Sequence, residues 1–122
     1  MGNIPSTSFV KEVDYVGIYS GKDEDKFKAL GLRPEKSEVV NAPYVKKFPL
    51  VLECEVINFL ELGLHTQFIG EIKDIKADES VLGENGWPDI EKVKPFIYDS
   101  AGTRYFALGE FLGKPYSVGR RP

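Results

Sequence analysis

Hydrophobic and polar positions fall into two rhythms along this chain, helical near the start and period-two through the middle. Phe9, Val10, Val13 and Val16 recur at helical spacing behind the hydroxyls of Ser6-Thr7-Ser8, which predicts a first helix ending at Gly17. Asp23 is read as the cap of a second helix, with Glu24 and Asp25 in its first turn, Gly31 as its stop and Pro34 beyond. From Pro49 the rhythm changes. Leu50, Leu52, Cys54 and Val56 alternate with Val51, Glu53, Glu55 and Ile57. Such alternation assigns the first set to a core face and the second, Glu53 and Glu55 included, to a wetter face of one strand. Asn58–Gly63 then reads as the loop of a hairpin whose return strand is Leu64–Ala77, with His65 just inside it. In that strand Phe68 and Ile72 share one parity, and Ile69 and Ile75 the other. Both faces are therefore partly apolar, as where one face fills a barrel and the other meets a helix or a second subunit. Gly70 marks a bulge or a close backbone approach.

The flanks are shorter. Glu38-Val39-Val40 and Tyr44-Val45 read as extended pieces that Pro43 confines to an edge or a turn. Asp78–Trp87 is a polar loop, and Pro88–Val93 allows at most a short helix opened by its proline. Phe96-Ile97-Tyr98 and Thr103–Leu108 read as strands joined by Asp99-Ser100-Ala101-Gly102.

Composition narrows the class. A chain of 122 residues predicts one core, and 42% hydrophobic content with eight Phe, six Tyr and one Trp argues against disorder. Sixteen basic against nineteen acidic residues lack the basic excess that phosphate-neutralising nucleic-acid binders show. One cysteine excludes an intramolecular disulfide and an all-cysteine zinc site, and its place on the alternating apolar face predicts a buried, inert thiol. No apolar run spans a bilayer and no signal-peptide pattern opens the chain, so the expected location is cytoplasmic.

Few residues carry chemistry. His65 is the only histidine. A neutral imidazole at a hairpin can hydrogen-bond a ligand or relay a proton near neutral pH; it can equally serve to close the loop. Lys26 in a first helical turn opposes the macrodipole unless an anion lies nearby, so a phosphate site competes with solvated surface charge. Ser20-Gly21 offers a hydroxyl and a close backbone approach, or a plain turn. Tyr105 and Trp87 can lie against a cofactor ring or simply pack. One His and one Cys build no metal centre, no hydrolytic triad assembles, and neither a phosphate loop nor a dinucleotide fingerprint is present.

The stretch Leu52-Glu53-Cys54-Glu55-Val56-Ile57 through Gly63-Leu64-His65-Thr66-Gln67-Phe68-Ile69-Gly70-Glu71-Ile72 resembles the central motif of the FMN-binding, flavin reductase-like split-barrel family, within it the flavoredoxin branch. Gly17-Ile18-Tyr19-Ser20-Gly21, Asp25-Lys26-Phe27, Ala42-Pro43-Tyr44-Val45 and Tyr105-Phe106-Ala107-Leu108-Gly109-Glu110-Phe111-Leu112-Gly113 are similar to further signatures of that branch, in the same order. The resemblance implies a mainly β fold with short helices, a split barrel, in a single domain over 1–122. It implies FMN as cofactor, with NAD(P)H as electron donor, a homodimer and a redox partner protein. His65 is then the catalytic candidate, beside the flavin. Asn3, Ser20, Gly21, Lys26 and Tyr105 join it as cofactor-binding candidates, Asn3 near the ribityl or phosphate part. The resembled family carries a further N-terminal portion before the residues matching Asn3-Ile4-Pro5-Ser6, which supplies barrel strands and much of the flavin contact. The expectation is a C-terminal part of a flavoredoxin-like protein, working in electron transfer or NAD(P)H:flavin reduction. The alternatives are a flavin-binding carrier without reductase activity and a non-catalytic dimerisation fragment.

Overall fold

The computed structural model describes Met1–Pro122. In chain order the elements are β1 (Gly2–Ile4), α1 (Val10–Ile18), α2 (Lys26–Leu30), β2 (Pro34–Lys36), β3 (Pro43–Val45), β4 (Leu50–Leu62), β5 (His65–Ala77), α3 (Ile90–Val93), β6 (Phe96–Asp99) and β7 (Arg104–Ala107). Three antiparallel sheets result, β1-β4-β5, β2-β3 and β6-β7, and they do not close into a barrel within this chain. No helix is long and apolar enough to cross a membrane.

The period-two stretch became the central hairpin, longer than its sequence suggests. β4 runs to Leu62, and the turn is the residue pair Gly63-Leu64 rather than a loop over Asn58–Gly63. Gly63 takes φ 69°, the positive value that tight hairpin turns demand and that glycine reaches without steric cost. The reading failed because the alternation skips a beat. The pairing runs Val56↔Gly70 then Asn58↔Ile69, leaving Ile57 as an extra residue on β4, and Glu53↔Asp74 then Cys54↔Ile72, leaving Lys73 extra on β5. Gly70 meets both expectations: it pairs with Val56 beside the extra Ile57, and a side chain there would meet Cys54 Cβ at 3.1 Å.

The two bulges have a joint effect. They keep Leu50, Leu52, Cys54, Val56 and Phe59 in phase with Ala77, Ile75, Ile72, Gly70 and Phe68, a continuous apolar face. On the opposite face the paired carboxylates of Glu55 and Glu71 receive the ammonium of bulged Lys73 at 3.7 and 3.1 Å. Like charges directly opposite destabilise a ladder. Here the bulge places a cation between them, and Glu71 first, then Glu55, raises the lysine's pKa.

Burial inverted the assigned faces at the base of β4. Val51 and Glu53 are buried (2% and 0% exposed), whereas Cys54 is half-buried. The wetter face is covered by the rest of the chain near the base, and the apolar face is not. The distal apolar residues stand open, with Val56, Phe59 and Phe68 each more than half exposed. The whole chain exposes 9864 Å². A compact protein of this mass would expose about 6,600 Å².

The helices differ in detail from the expected ones. α1 continues through Gly17 to Ile18, because nothing at Gly17 forces a left-handed turn. α2 is capped by Asp25, whose carboxylate accepts from Lys28 N–H at 3.2 Å, not by Asp23. Gly31 closes it in the left-handed conformation at φ 62°. Asp89, not Pro88, opens α3, accepting from Glu91 N–H at 2.9 Å. Glu38-Val39-Val40 is no strand; β2 begins at Pro34 and pairs with β3 through Pro43, both prolines at the ends of a short edge ladder.

Candidate functional site

Five of the sequence-selected residues, Asn3, Ser20, Gly21, Lys26 and Tyr105, lie at the helical end of the molecule. Asn3 sits in β1, paired opposite Val51, and its side-chain oxygen accepts from Val45 N–H at 3.0 Å. One residue thus ties β1, and through it β4, to β3. Asn3 also lines a cavity of about 350 Å³ with Glu12, Val16, Lys26, Phe27 and Phe48. Its wall is mostly apolar, yet one Glu12 oxygen is buried there without a hydrogen-bond partner.

Lys26 opens α2, and its Nζ donates to Val16 O at 2.6 Å. A cation at the carbonyl end of α1 is favourable, which explains a lysine that sits badly against its own helix. α2 has only five residues, so its dipole is short and its cap already occupied. The hollow beside it is bordered by Lys22 and Lys26 but also by Asp23, Glu24 and Asp25. That excess of carboxylates weakens the phosphate reading of Lys26.

Ser20 and Gly21 occupy the connection between α1 and α2. Ser20 Oγ accepts from Lys22 N–H at 3.2 Å. Tyr105, on β7, donates its hydroxyl to Asp14 of α1 at 2.9 Å and packs edge-on against Phe96 at 5.7 Å. The Asp14 carboxylate, with lesser contributions from desolvation and Tyr98, raises the Tyr105 pKa. Its contacts fasten the β6-β7 hairpin to α1. Trp87 is 66% exposed on a turn braced by Gly83 N–H to Trp87 O at 2.8 Å.

His65 is elsewhere. It is exposed and pairs with Leu62 at the tip of the long hairpin, while Asn3 pairs with Val51 at its base. At ~3.3 Å per residue the intervening strand separates them by roughly 35 Å. Within one chain, His65 therefore does not meet Asn3, nor the cavity that Asn3 shares with Lys26.

Sequence reading missed three residues of this region: Tyr15, Glu24 and Glu53. Tyr15 donates its hydroxyl to Glu24, and the pKa of Tyr15 is pushed up to about 12 chiefly by that bond, then by desolvation and the Glu24 charge. Glu53 lies buried on β4 with Lys76 Nζ at 3.6 Å and no hydrogen-bond donor on either oxygen. Neither contact has a local signature, since each joins side chains from different segments of the chain.

The fold and its local motifs recur in known proteins. The flavin reductase like domain matches residues 3–106. The flavoredoxin of Desulfovibrio vulgaris (Miyazaki F) superposes with a TM-score of 0.89 at 52% identity, over 97% of this chain and 63% of that protein. The flavoredoxin from Methanosarcina acetivorans gives 0.86 at 31% identity, over 97% of this chain and 62% of its own. An uncharacterised protein of Archaeoglobus fulgidus is 34% identical over 87 residues, which are 71% of this chain and 48% of the relative. The chain thus spans about half to two thirds of the proteins it matches. With a match that runs from β1 to β7, and the flavoredoxin likeness anticipated from the hairpin motif, the chain belongs to the flavin reductase-like domain family.

Proposed function

We propose that this chain forms part of a flavin-binding redox protein of the flavoredoxin kind, with FMN as its cofactor. The support is the likeness to the Desulfovibrio vulgaris flavoredoxin at 52% identity over nearly the whole chain. The residues at the helical end fit such a ligand in part. Ser20 O–H and Gly21 N–H have no acceptor within the chain, and the Asn3 amide nitrogen remains free to donate. Donors of this sort suit the carbonyl and imine edge of a flavin ring and its ribityl hydroxyls. A bound flavin supplies hydride and single-electron chemistry, and the protein's part is to bind, orient and shield.

The chain's own residues divide that work. Asn3 holds the strand edge at which the ribityl chain would lie, and Ser20-Gly21 offers donors to the ring. His65, on a regular element, is suited to hold or move a proton at the ring's reactive side, but only where a second copy brings its hairpin tip to this end. A homodimer in which the exposed apolar face of β4-β5 is covered meets both needs. The expected setting is cytoplasmic, with NAD(P)H or a redox partner protein as the electron source.

A second reading, an electron carrier without reductase activity, is favoured by the roughly 35 Å of strand between His65 and Asn3 within one chain. Two measurements decide. Titration with FMN of the chain joined to the N-terminal portion its family carries, followed by flavin fluorescence and visible absorbance, should show saturable binding; no binding at tens of micromolar removes the flavin reading. Where FMN binds, aerobic NAD(P)H consumption marks a reductase, and its absence with reversible photoreduction marks a carrier.

A further inference from the structure

The connection Tyr19–Asp25 has no ladder of its own, yet it is tied to α1 at both ends. At the near end Tyr19 N–H donates to Tyr15 O at 3.1 Å, and the two rings lie 4.5 Å apart. At the far end the Glu24 carboxylate accepts from the Tyr15 hydroxyl. One turn further on, Lys26 Nζ reaches back to Val16 O at 2.6 Å. Inside the loop, Asp23 N–H donates to Ser20 O at 3.2 Å and Lys22 N–H to Ser20 Oγ at 3.2 Å. These bonds use acceptors of Ser20 and leave its hydroxyl proton, together with Gly21 N–H, pointing to no partner in the chain.

A seven-residue segment with this much freedom would ordinarily sample many conformations, at an entropic cost in binding for each backbone unit that a ligand must order. Two side chains of α1 and α2 remove that cost in advance. We propose that Tyr15, acting through Glu24, and Lys26, acting through Val16, are positioning residues that hold Ser20 O–H and Gly21 N–H as a fixed pair of donors for the acceptor edge of a bound flavin ring. This inference rests on the flavin reading above. It assigns Lys26 to placing the loop rather than to neutralising a phosphate. The bond to the Glu24 carboxylate pushes the Tyr15 pKa up to about 12, so the hydroxyl stays a donor well into the alkaline range.

The test compares Tyr15→Phe, which deletes one hydroxyl, with wild-type protein by two independent readouts. Amide hydrogen exchange at Lys22 and Asp23 should quicken by about ten-fold while exchange in β4 and β5 stays put, since only local opening is released. FMN affinity should fall about five-fold, the worth of one ordinary hydrogen bond, and the absorption band of bound flavin should move toward that of the free molecule. Glu24→Gln keeps an acceptor and should stay near wild type, whereas Glu24→Ala should copy Tyr15→Phe. The double variant Tyr15→Phe/Glu24→Ala should be no worse than either alone. Lys26→Met should weaken FMN and riboflavin equally; a loss confined to FMN overturns the positioning role of Lys26. Unchanged exchange in Tyr15→Phe, or faster exchange with an unaltered flavin spectrum and affinity, overturns the role of Tyr15. Should wild-type protein take up no flavin, quickened exchange would retain the clamp and discard its ligand, and unchanged exchange would discard both.

Discussion

The two ends of β4 are built on opposite principles. At its base the strand is covered by its own chain. Val51 is buried, β1 pairs along one edge, Asn3 ties in β3, and Tyr105 joins the β6-β7 hairpin to α1. Toward its tip only β5 accompanies it, and Phe59 and Phe68, 6.4 Å apart across the pair, both stand more than half exposed. Hydrophobic sequence is spread along the whole strand, but hydrophobic burial is not. The difference teaches that the pattern of a strand specifies a face to be covered and leaves open which element covers it.

The largest effect should come from the open end. If a second copy covers it, the protein should be dimeric by sedimentation at micromolar concentration, and Phe68→Asp should loosen that dimer by about a hundred-fold or more, as loss of a central aromatic anchor does. A monomeric wild-type protein would show that the apolar face tolerates water, and the contrast between the two ends would lose its meaning.

At the closed end, Lys76→Met should leave Glu53 buried without its one cationic neighbour. The expected loss is about 2 kcal/mol by urea unfolding, modest because Lys76 is itself 38% exposed. Glu53→Leu should be neutral or stabilising by about 1 kcal/mol, because neither oxygen has a hydrogen-bond donor to lose. A large loss in that variant would reveal a partner for the carboxylate that these contacts do not include.

A smaller effect links the ends. His65→Ala should slow reduction of bound flavin by about ten-fold in stopped-flow experiments, with little change in affinity. The Phe68→Asp background should abolish that difference, since a separated tip has nothing to act upon. Equal rates in His65→Ala and wild-type protein would make the histidine a structural feature of the turn.

The smallest effect is confined to the closed end. Tyr15 has a pKa raised from 10.0 to about 12 in the folded protein. Its bond to Glu24 therefore contributes fully below pH 10 and is lost as the pH rises through about 12. Phenolate absorbance should show Tyr15 as a late step, with Tyr105 also delayed by Asp14. Tyr15→Phe should remove the late step without displacing the Tyr105 one.

Much of this architecture could be read from local chemistry. Gly31 and Gly63 lie where a left-handed residue is needed, and the alternation from Leu50 to Val56 correctly marked a strand, though not which of its faces is buried at the base. What escaped was everything that depends on phase or on distance. The extra residue at Ile57 shifted the alternation, so a strand resembled a loop, and β1 has too few residues to establish any period. Asp23 and Asp25 are equally good caps by composition; only the fold of the connection selects the second. Of the candidate residues, five lie at the helical end. That His65 stands apart from them is a matter of strand length, which became visible only once the turn was placed at Gly63-Leu64.

The shortness of β1 bears on how this protein behaves outside a cell. β1 accompanies β4 only over Leu50–Leu52, so when residues 1–122 fold by themselves the edge of β4 away from β5 carries no neighbouring strand from Glu53 to Leu62. An unpaired edge with Val56, Phe59, Leu60 and Leu62 along it is a template for adding further strands from other molecules. Its safeguards are few: the irregularity at Ile57 and the carboxylates of Glu55 and Glu61. Refolding yield should therefore fall steeply with concentration, and material that loses the race to its proper cover should be fibrous rather than amorphous.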